Sequence, residues 1–143
     1  MVDSIRAIQD QIVQEFCLLN DPFDQYTYLL ELAAHLPHMP QVQRDTLQPI
    51  AGCQSNVWLS TRMENGLFIF DADSDTMLIR GMLFLLQRIL CHQPPTEVAS
   101  ASIDFLERSS IVTIISNDRR KGISSVIRVL QMEARKYFGK KQT

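Results

Sequence analysis

The apolar residues change their period once along the chain, and that change decides what it can fold into. Val57, Leu59, Thr61 and Met63 alternate with Trp58, Ser60 and Arg62; Asn65-Gly66 follows, and Leu67 to Asp71 runs back. Alternation of period two marks a half-buried strand, and Asn-Gly between two such runs is the strongest short signal for a hairpin. On either side the stripes recur every three to four residues, as one face of a helix does. Ile5, Ile8, Ile12, Phe16 and Leu19 form the first stripe, and Phe23, Tyr26, Leu29, Leu30 and Ala33 the second. Thr76 to Leu90 is apolar nearly all round, and Ile123, Val126, Ile127, Leu130, Ala134 and Tyr137 form the last stripe. One hairpin among helices predicts an α+β fold: a small antiparallel sheet containing a hairpin at about 55–72, with helices packed around it.

Local signals set the boundaries. Asp21-Pro22 reads as a cap followed by proline at the first helical position, and Pro37 stops that helix near Leu36. From Pro37 to Gly52 no periodicity survives, so a long irregular loop is expected to deliver the chain to Gly52-Cys53-Gln54-Ser55. Asp73-Ser74-Asp75 is expected to cap the central helix, and Gly81 inside that helix marks a close packing contact. Trp58 reads as a core aromatic. A short helix is expected around Ile103 to Arg108, and the β-branched run Ile111 to Ile115 reads as a strand. The last helix is expected to begin near Asp118. At 143 residues without an internal repeat, the chain reads as one domain, residues 1–143.

Charge and composition exclude several classes. The net charge of −2 argues against a dedicated nucleic-acid binder. The charge is uneven, however: from Asp118 onward eight Lys or Arg face only Asp118 and Glu133, a local balance of +6. That segment reads either as a solvated helix face or as a docking face for an acidic protein. No apolar run is long enough to span a membrane, and the first residues lack the pattern of a signal peptide, so no membrane contact and a cytoplasmic location are expected.

Cys17, Cys53 and Cys91 form no CxxC, and His35, His38 and His92 add no metal-ligand spacing, so no metal site is expected. Cys17 and Cys91 stand beside leucines and read as buried thiols. Cys53 differs. It follows a proline-rich lead-in and Gly52, precedes Gln54 and Ser55, and sits where the loop enters the first strand. That context suits a presented, reactive thiol. A hydrolytic cysteine needs an oriented histidine base, and none stands in an identifying motif. A lone thiol is still competent for sulfur exchange with a sulfur held on another protein.

The block Ala51-Gly52-Cys53-Gln54-Ser55-Asn56-Val57-Trp58-Leu59 resembles the signature of the SufE-like family, SufE and CsdE. Leu36-Pro37, Asp73-Ser74-Asp75 with Ile79-Arg80-Gly81, and Arg119 with Gly122 agree in order and spacing. Gln48 stands where related sequences often carry Asn, and Asn117-Asp118 where they carry Pro-Ser. The resemblance implies a fold similar to that of IscU and SufE. It also implies a sulfur acceptor that takes persulfide sulfur from a PLP-dependent cysteine desulfurase of the SufS or CsdA type onto Cys53. Such a protein stimulates the desulfurase and passes sulfur to iron–sulfur cluster assembly or another sulfuration pathway, for instance to a cluster scaffold. It is a sulfurtransferase-type covalent carrier rather than an autonomous enzyme. It has no cofactor of its own, since PLP stays on the partner and the persulfide on Cys53 is transient. Gly52, Gln54, Ser55 and Arg119 are then expected to support the loop or meet the partner. The alternative is an iron–sulfur cluster scaffold, which would need several convergent cysteines.

Overall fold

The computed structural model describes residues 3–138. Its elements in order are α1 (Ile5–Cys17), α2 (Pro22–Ala33), α3 (Gln41–Arg44), β1 (Val57–Glu64), β2 (Leu67–Ser74) and α4 (Met77–Leu90). After these come α5 (Pro95–Ser100), α6 (Phe105–Arg108), α7 (Ile111–Ile114) and α8 (Asn117–Arg135). Among the described residues the sheet is the single pair β1–β2, antiparallel, running in register from Val57 opposite Ser74 to Glu64 opposite Leu67. Asn65 and Gly66 turn it with φ of 53° and 78°. Two successive left-handed residues match the twist of the strands they join. The result is the expected α+β arrangement, a hairpin with helices around it.

α4 is the axis of the core. Leu78, Ile79, Met82, Leu83, Leu85, Leu86, Ile89 and Leu90 are all buried, and α1, α2, β2 and α8 pack against them. A side chain on Gly81 would overlap the carbonyl oxygen of Leu29, so this glycine lets the backbones of α2 and α4 touch. The stripes of α1 (Ile5, Ile8, Ile12, Phe16) and α8 (Ile123, Val126, Leu130, Ala134) close the core on either side. Ser4, Asp21 and Ser116 cap α1, α2 and α8, each accepting a backbone N–H of the first turn.

A buried carboxylate ties these layers together. Asp73 lies at the end of β2 with no exposed surface and pairs with the buried Arg80 of α4. Arg80 also donates to the carbonyls of Ala33, the last residue of α2, and of Leu36 just beyond it. Asp73 accepts in turn from the Met39 N–H at 2.8 Å and from Arg44 of α3. The Arg44 guanidinium lies 4.6 Å from the centre of the Trp58 ring. Burial pushes the Asp73 carboxyl up, but the N–H groups of Met39 and Ser74, the Arg44 hydrogen bond and the Arg80 charge outweigh it, leaving it below the usual range.

Several local expectations are corrected. Asp73 and Ser74 belong to β2, which runs three residues past Asp71; α4 starts after Thr76 without a side-chain cap. Ile111 to Ile114 is the helical turn α7, not a strand, because β-branched propensity acts only where a neighbouring strand offers a ladder. The irregular stretch 37–52 contains α3, and Pro95 opens the short helix α5. Phe23 is 73% exposed and Tyr26 is also exposed, because α2 turns Gln25, Leu29, Leu32 and Ala33 inward. Gln25 can occupy a buried position because its amide donates to the Leu19 carbonyl at 2.7 Å. Trp58 is half-buried beneath Arg44 rather than in the core. Cys17 is exposed: Phe16 holds the buried position, and the next residue turns away from it.

Replacing Asp73 should expose the cost of that arrangement. Asp73→Asn leaves Arg80 buried without its counter-charge and is expected to destabilise the fold by about 3–5 kcal/mol, read as a lowered urea midpoint at neutral pH. Because the folded-state pKa is depressed, the carboxylate's contribution is complete above the unfolded value of about 4 and is lost as pH falls through the folded one. Wild type should therefore lose stability in acid more steeply than Asp73→Asn. Equal slopes and equal midpoints would refute the assignment.

Candidate functional site

The segment between Ile50 and Val57 is a loop pinched shut at its base, where the Ile50 N–H donates to the Val57 carbonyl at 2.9 Å. Between those ends it is held mainly by side chains. The Gln54 amide donates to Asp118 of α8 at 3.1 Å. The Ser55 and Thr76 hydroxyls share a short hydrogen bond. The Asn56 N–H and side-chain amide both donate to Asp75, at 3.2 and 3.1 Å. Gly52 starts the turn at φ +91°, and a Cβ there would stand 2.9 Å from the Ser125 hydroxyl. The left-handed conformation is what requires glycine at this point.

This geometry lays Cys53 across the second turn of α8. The thiol is half-buried and donates to the Gly122 carbonyl at 3.4 Å. A Cβ on Gly122 would sit 3.5 Å from the sulfur, at ordinary contact distance, so the thiol lies directly against the helix backbone here. Beside the sulfur is a cavity of about 10 Å³ with Val57, Ile79, Ile123 and Val126 in its apolar wall and Gln54, Asp118 and Arg119 among its other lining residues. That volume holds one water-sized sphere, and an apolar wall offers water no partners. Burial pushes the Cys53 thiol above its ordinary range, so at neutral pH it rests protonated.

The residues singled out in the sequence therefore converge. Gly52 supplies the turn, Gln54 and Ser55 fasten the loop to α8 and to the residue before α4, and Arg119 lines the cavity. The Arg119 N–H is taken by the Ser116 cap, and its guanidinium forms no ion pair among the described residues. The sequence reading missed the receiving side: Thr76 and Asp118 as anchors, and the Gly122 carbonyl as the thiol's acceptor. A glycine inside an amphipathic helix was the available signal, as at Gly81.

The other thiols lie elsewhere. Cys17 is exposed near the end of α1. Cys91 is half-buried after α4 and donates to the Phe70 carbonyl at 3.7 Å. Burial pushes the Cys91 thiol up, only partly offset by that hydrogen bond. None of the three histidines lines the Cys53 cavity. Among the described residues, no group of three or more His, Cys, Asp or Glu could hold a metal ion, and no helix is long and apolar enough to cross a membrane.

Residues 10–134 match the family model SufE, an Fe-S metabolism associated domain. An uncharacterized SufE-like protein of Rhizobium meliloti is 32% identical over 130 residues, covering 87% of this chain and 93% of the relative. One from Rhizobium etli is 30% identical, with 90% of each chain covered. One from Synechocystis is 27% identical, covering 87% of this chain and 78% of the relative. The fold is similar to the solution structure of a hypothetical protein from Thermus thermophilus, with a TM-score of 0.77 at 21% identity. That match covers 95% of this chain and 97% of the other.

The thiols should differ in reactivity. With iodoacetamide at neutral pH, peptide mass spectrometry should find Cys17 modified before Cys53, because Cys17 is exposed and Cys53 is seated and protonated. The Cys53 rate should keep climbing with pH beyond the ordinary thiol value of about 8.5, since its folded pKa lies higher. Faster labelling of Cys53 than of Cys17 at neutral pH would contradict the seated thiol.

Proposed function

The chain belongs to the SufE family, associated with Fe–S metabolism, and from that premise we propose that Cys53 accepts sulfur from a PLP-dependent cysteine desulfurase. The observation that carries this reading is the way Cys53 is held. It stands on a glycine turn, on a loop fastened largely by side-chain hydrogen bonds, above an apolar cavity with room for one more atom. Three or four such bonds, each worth about 1 kcal/mol net, can be exchanged for contacts with a partner without unfolding the core. The loop then has two states, seated and delivered, and the partner shifts the balance.

The chemistry needs no oxidant. The Cys53 thiolate attacks the outer sulfur of the desulfurase's cysteine persulfide. A new S–S bond forms on Cys53, the old one breaks, and the donor's cysteine leaves as thiolate. Removing the outer sulfur from the donor frees its cysteine for another turnover, which accounts for stimulation. Outside its seat Cys53 loses the burial that raises its pKa, so delivery and activation coincide. Back in the seat, the cavity beside Val57, Ile79, Ile123 and Val126 has room for the added sulfur in its neutral S–SH form, away from bulk thiols. Transfer onward to a cluster scaffold or another acceptor repeats the exchange with Cys53 as donor. PLP belongs to the partner, and this chain supplies only the thiol and its loop.

Incubation with a SufS-type desulfurase, PLP and cysteine, without reductant, should add sulfur at Cys53 and accelerate alanine release. Cys53→Ser should abolish both, while Cys17→Ala and Cys91→Ala leave both near wild type. Full stimulation by Cys53→Ser would sink the proposal.

A further inference from the structure

The positive charge of the molecule is distributed in an unusual way. Every described Lys or Arg outside the last helical segment is paired with an acid: Arg6 with Asp104, Arg44 and Arg80 with Asp73, Arg62 with Asp71, Arg88 with Glu15, and Arg108 with Asp10. On α8 the pattern reverses. Arg120, Lys121 and Arg128 are exposed, and none of them forms an ion pair among the described residues. The two acids of α8 are already engaged, Asp118 by Gln54 and Glu133 by Thr61 and Lys136. In a chain of net charge −2, acids are plentiful, yet none is placed against these three cations.

The three cations also share one place. With Asn117, Ser124 and Ser125 they line an open groove of about 380 Å³. Ser125 is the residue against which Gly52 turns, so the groove adjoins the Cys53 loop on the solvent side of α8. Asp118 and Gly122, on the neighbouring face, hold Gln54 and the thiol. A partner that approaches the Cys53 loop over the solvent side of α8 therefore passes beside Arg120, Lys121 and Arg128.

We propose that this face of α8 is the docking surface for the sulfur donor, which meets it with an acidic segment. The proposal rests on the sulfur-acceptor reading above and adds where, and with what charge, the donor binds. Three unpaired cations beside the reacting loop steer a complementary patch into register before the loop moves. Nucleic acid fits less well. Three cations on a molecule of net negative charge give a weak footprint, and no exposed aromatic lines the groove for bases to stack on.

The test titrates the full chain into a SufS-type desulfurase, with alanine release measured at about 0.01 M and about 0.15 M ionic strength, where the Debye length is about 30 and about 8 Å. For wild type, the concentration giving half-maximal stimulation should rise with salt. Reversing all three charges (R120E, K121E, R128E) should raise it about tenfold at low salt, flatten the salt dependence, and leave maximal stimulation unchanged. Replacing Arg120 and Arg128 by Lys should preserve wild-type behaviour, since charge is what the surface supplies. Iodoacetamide labelling of Cys53 should be the same in all variants, which separates docking from loop chemistry. An unchanged half-maximal concentration and salt slope in the reversed variant overturn the docking surface while Cys53→Ser still tests the acceptor. Tight binding of a labelled single-stranded RNA, lost in the reversed variant while stimulation is kept, overturns it in favour of nucleic acid.

Discussion

The pairing of Asp73 with Arg80 is the interaction on which the arrangement depends. A helix that ends inside a protein leaves carbonyls that need donors, and α2 ends against α4. Arg80 reaches across to the carbonyls of Ala33 and Leu36, and a guanidinium in that setting needs a counter-charge. Asp73 provides it from the end of the hairpin, and its second oxygen takes the Met39 N–H and Arg44. One carboxylate thereby fixes the end of α2, the start of the long loop, the end of β2 and the first turns of α4. The Cys53 loop leaves from this frame at Ile50 and is fastened by Ser55 to Thr76 and by Asn56 to Asp75, three and two residues beyond Asp73. The anchors of the Cys53 loop thus stand next to the buried carboxylate in sequence.

Two glycines serve opposite purposes in the same kind of place. Gly81 lets the backbone of α2 lie directly on α4, a permanent contact between core helices. Gly122 lets a side chain from a loop lie on α8, and the contact is no closer than ordinary van der Waals distance. The first is an overlap if filled and so locks the packing. The second is a shallow seat, in which even a Cβ would meet the sulfur only at ordinary contact distance. Both occur in helices whose other positions follow the apolar stripe, so neither serves as a terminator.

How far the chain could be read in advance follows from how local each determinant is. The hairpin with its Asn65-Gly66 turn, the α1 stripe and the α8 stripe are local patterns and were legible. The strand expected at Ile111 to Ile115 failed because a strand needs a partner, and no propensity says whether one will be there. The inward face of α2 differs from the apolar stripe because Gln25 is buried through the Leu19 carbonyl, a backbone acceptor that side-chain periodicity does not register. Asp73 reads as a helix cap in D-S-D, and only the fold brings Arg44 and Arg80 to it from either side in sequence. Cys53 stood out by its irregular setting, whereas its seat did not: Gly122 lies sixty-nine residues away. The sequence departure at Asp118 supplies the acceptor that holds Gln54.

The hydrogen bond from Cys53 to Gly122 has a consequence for survival in a cell. A carbonyl oxygen accepts from S–H but repels S⁻, so the seat retains the thiol only in its protonated form. Peroxide and glutathione disulfide act on thiolates, and the step from sulfenic to sulfinic acid cannot ordinarily be reversed. A thiolate left exposed at this position would be open to such encounters. Seated on the α8 backbone, the resting sulfur is a poor target for small oxidants.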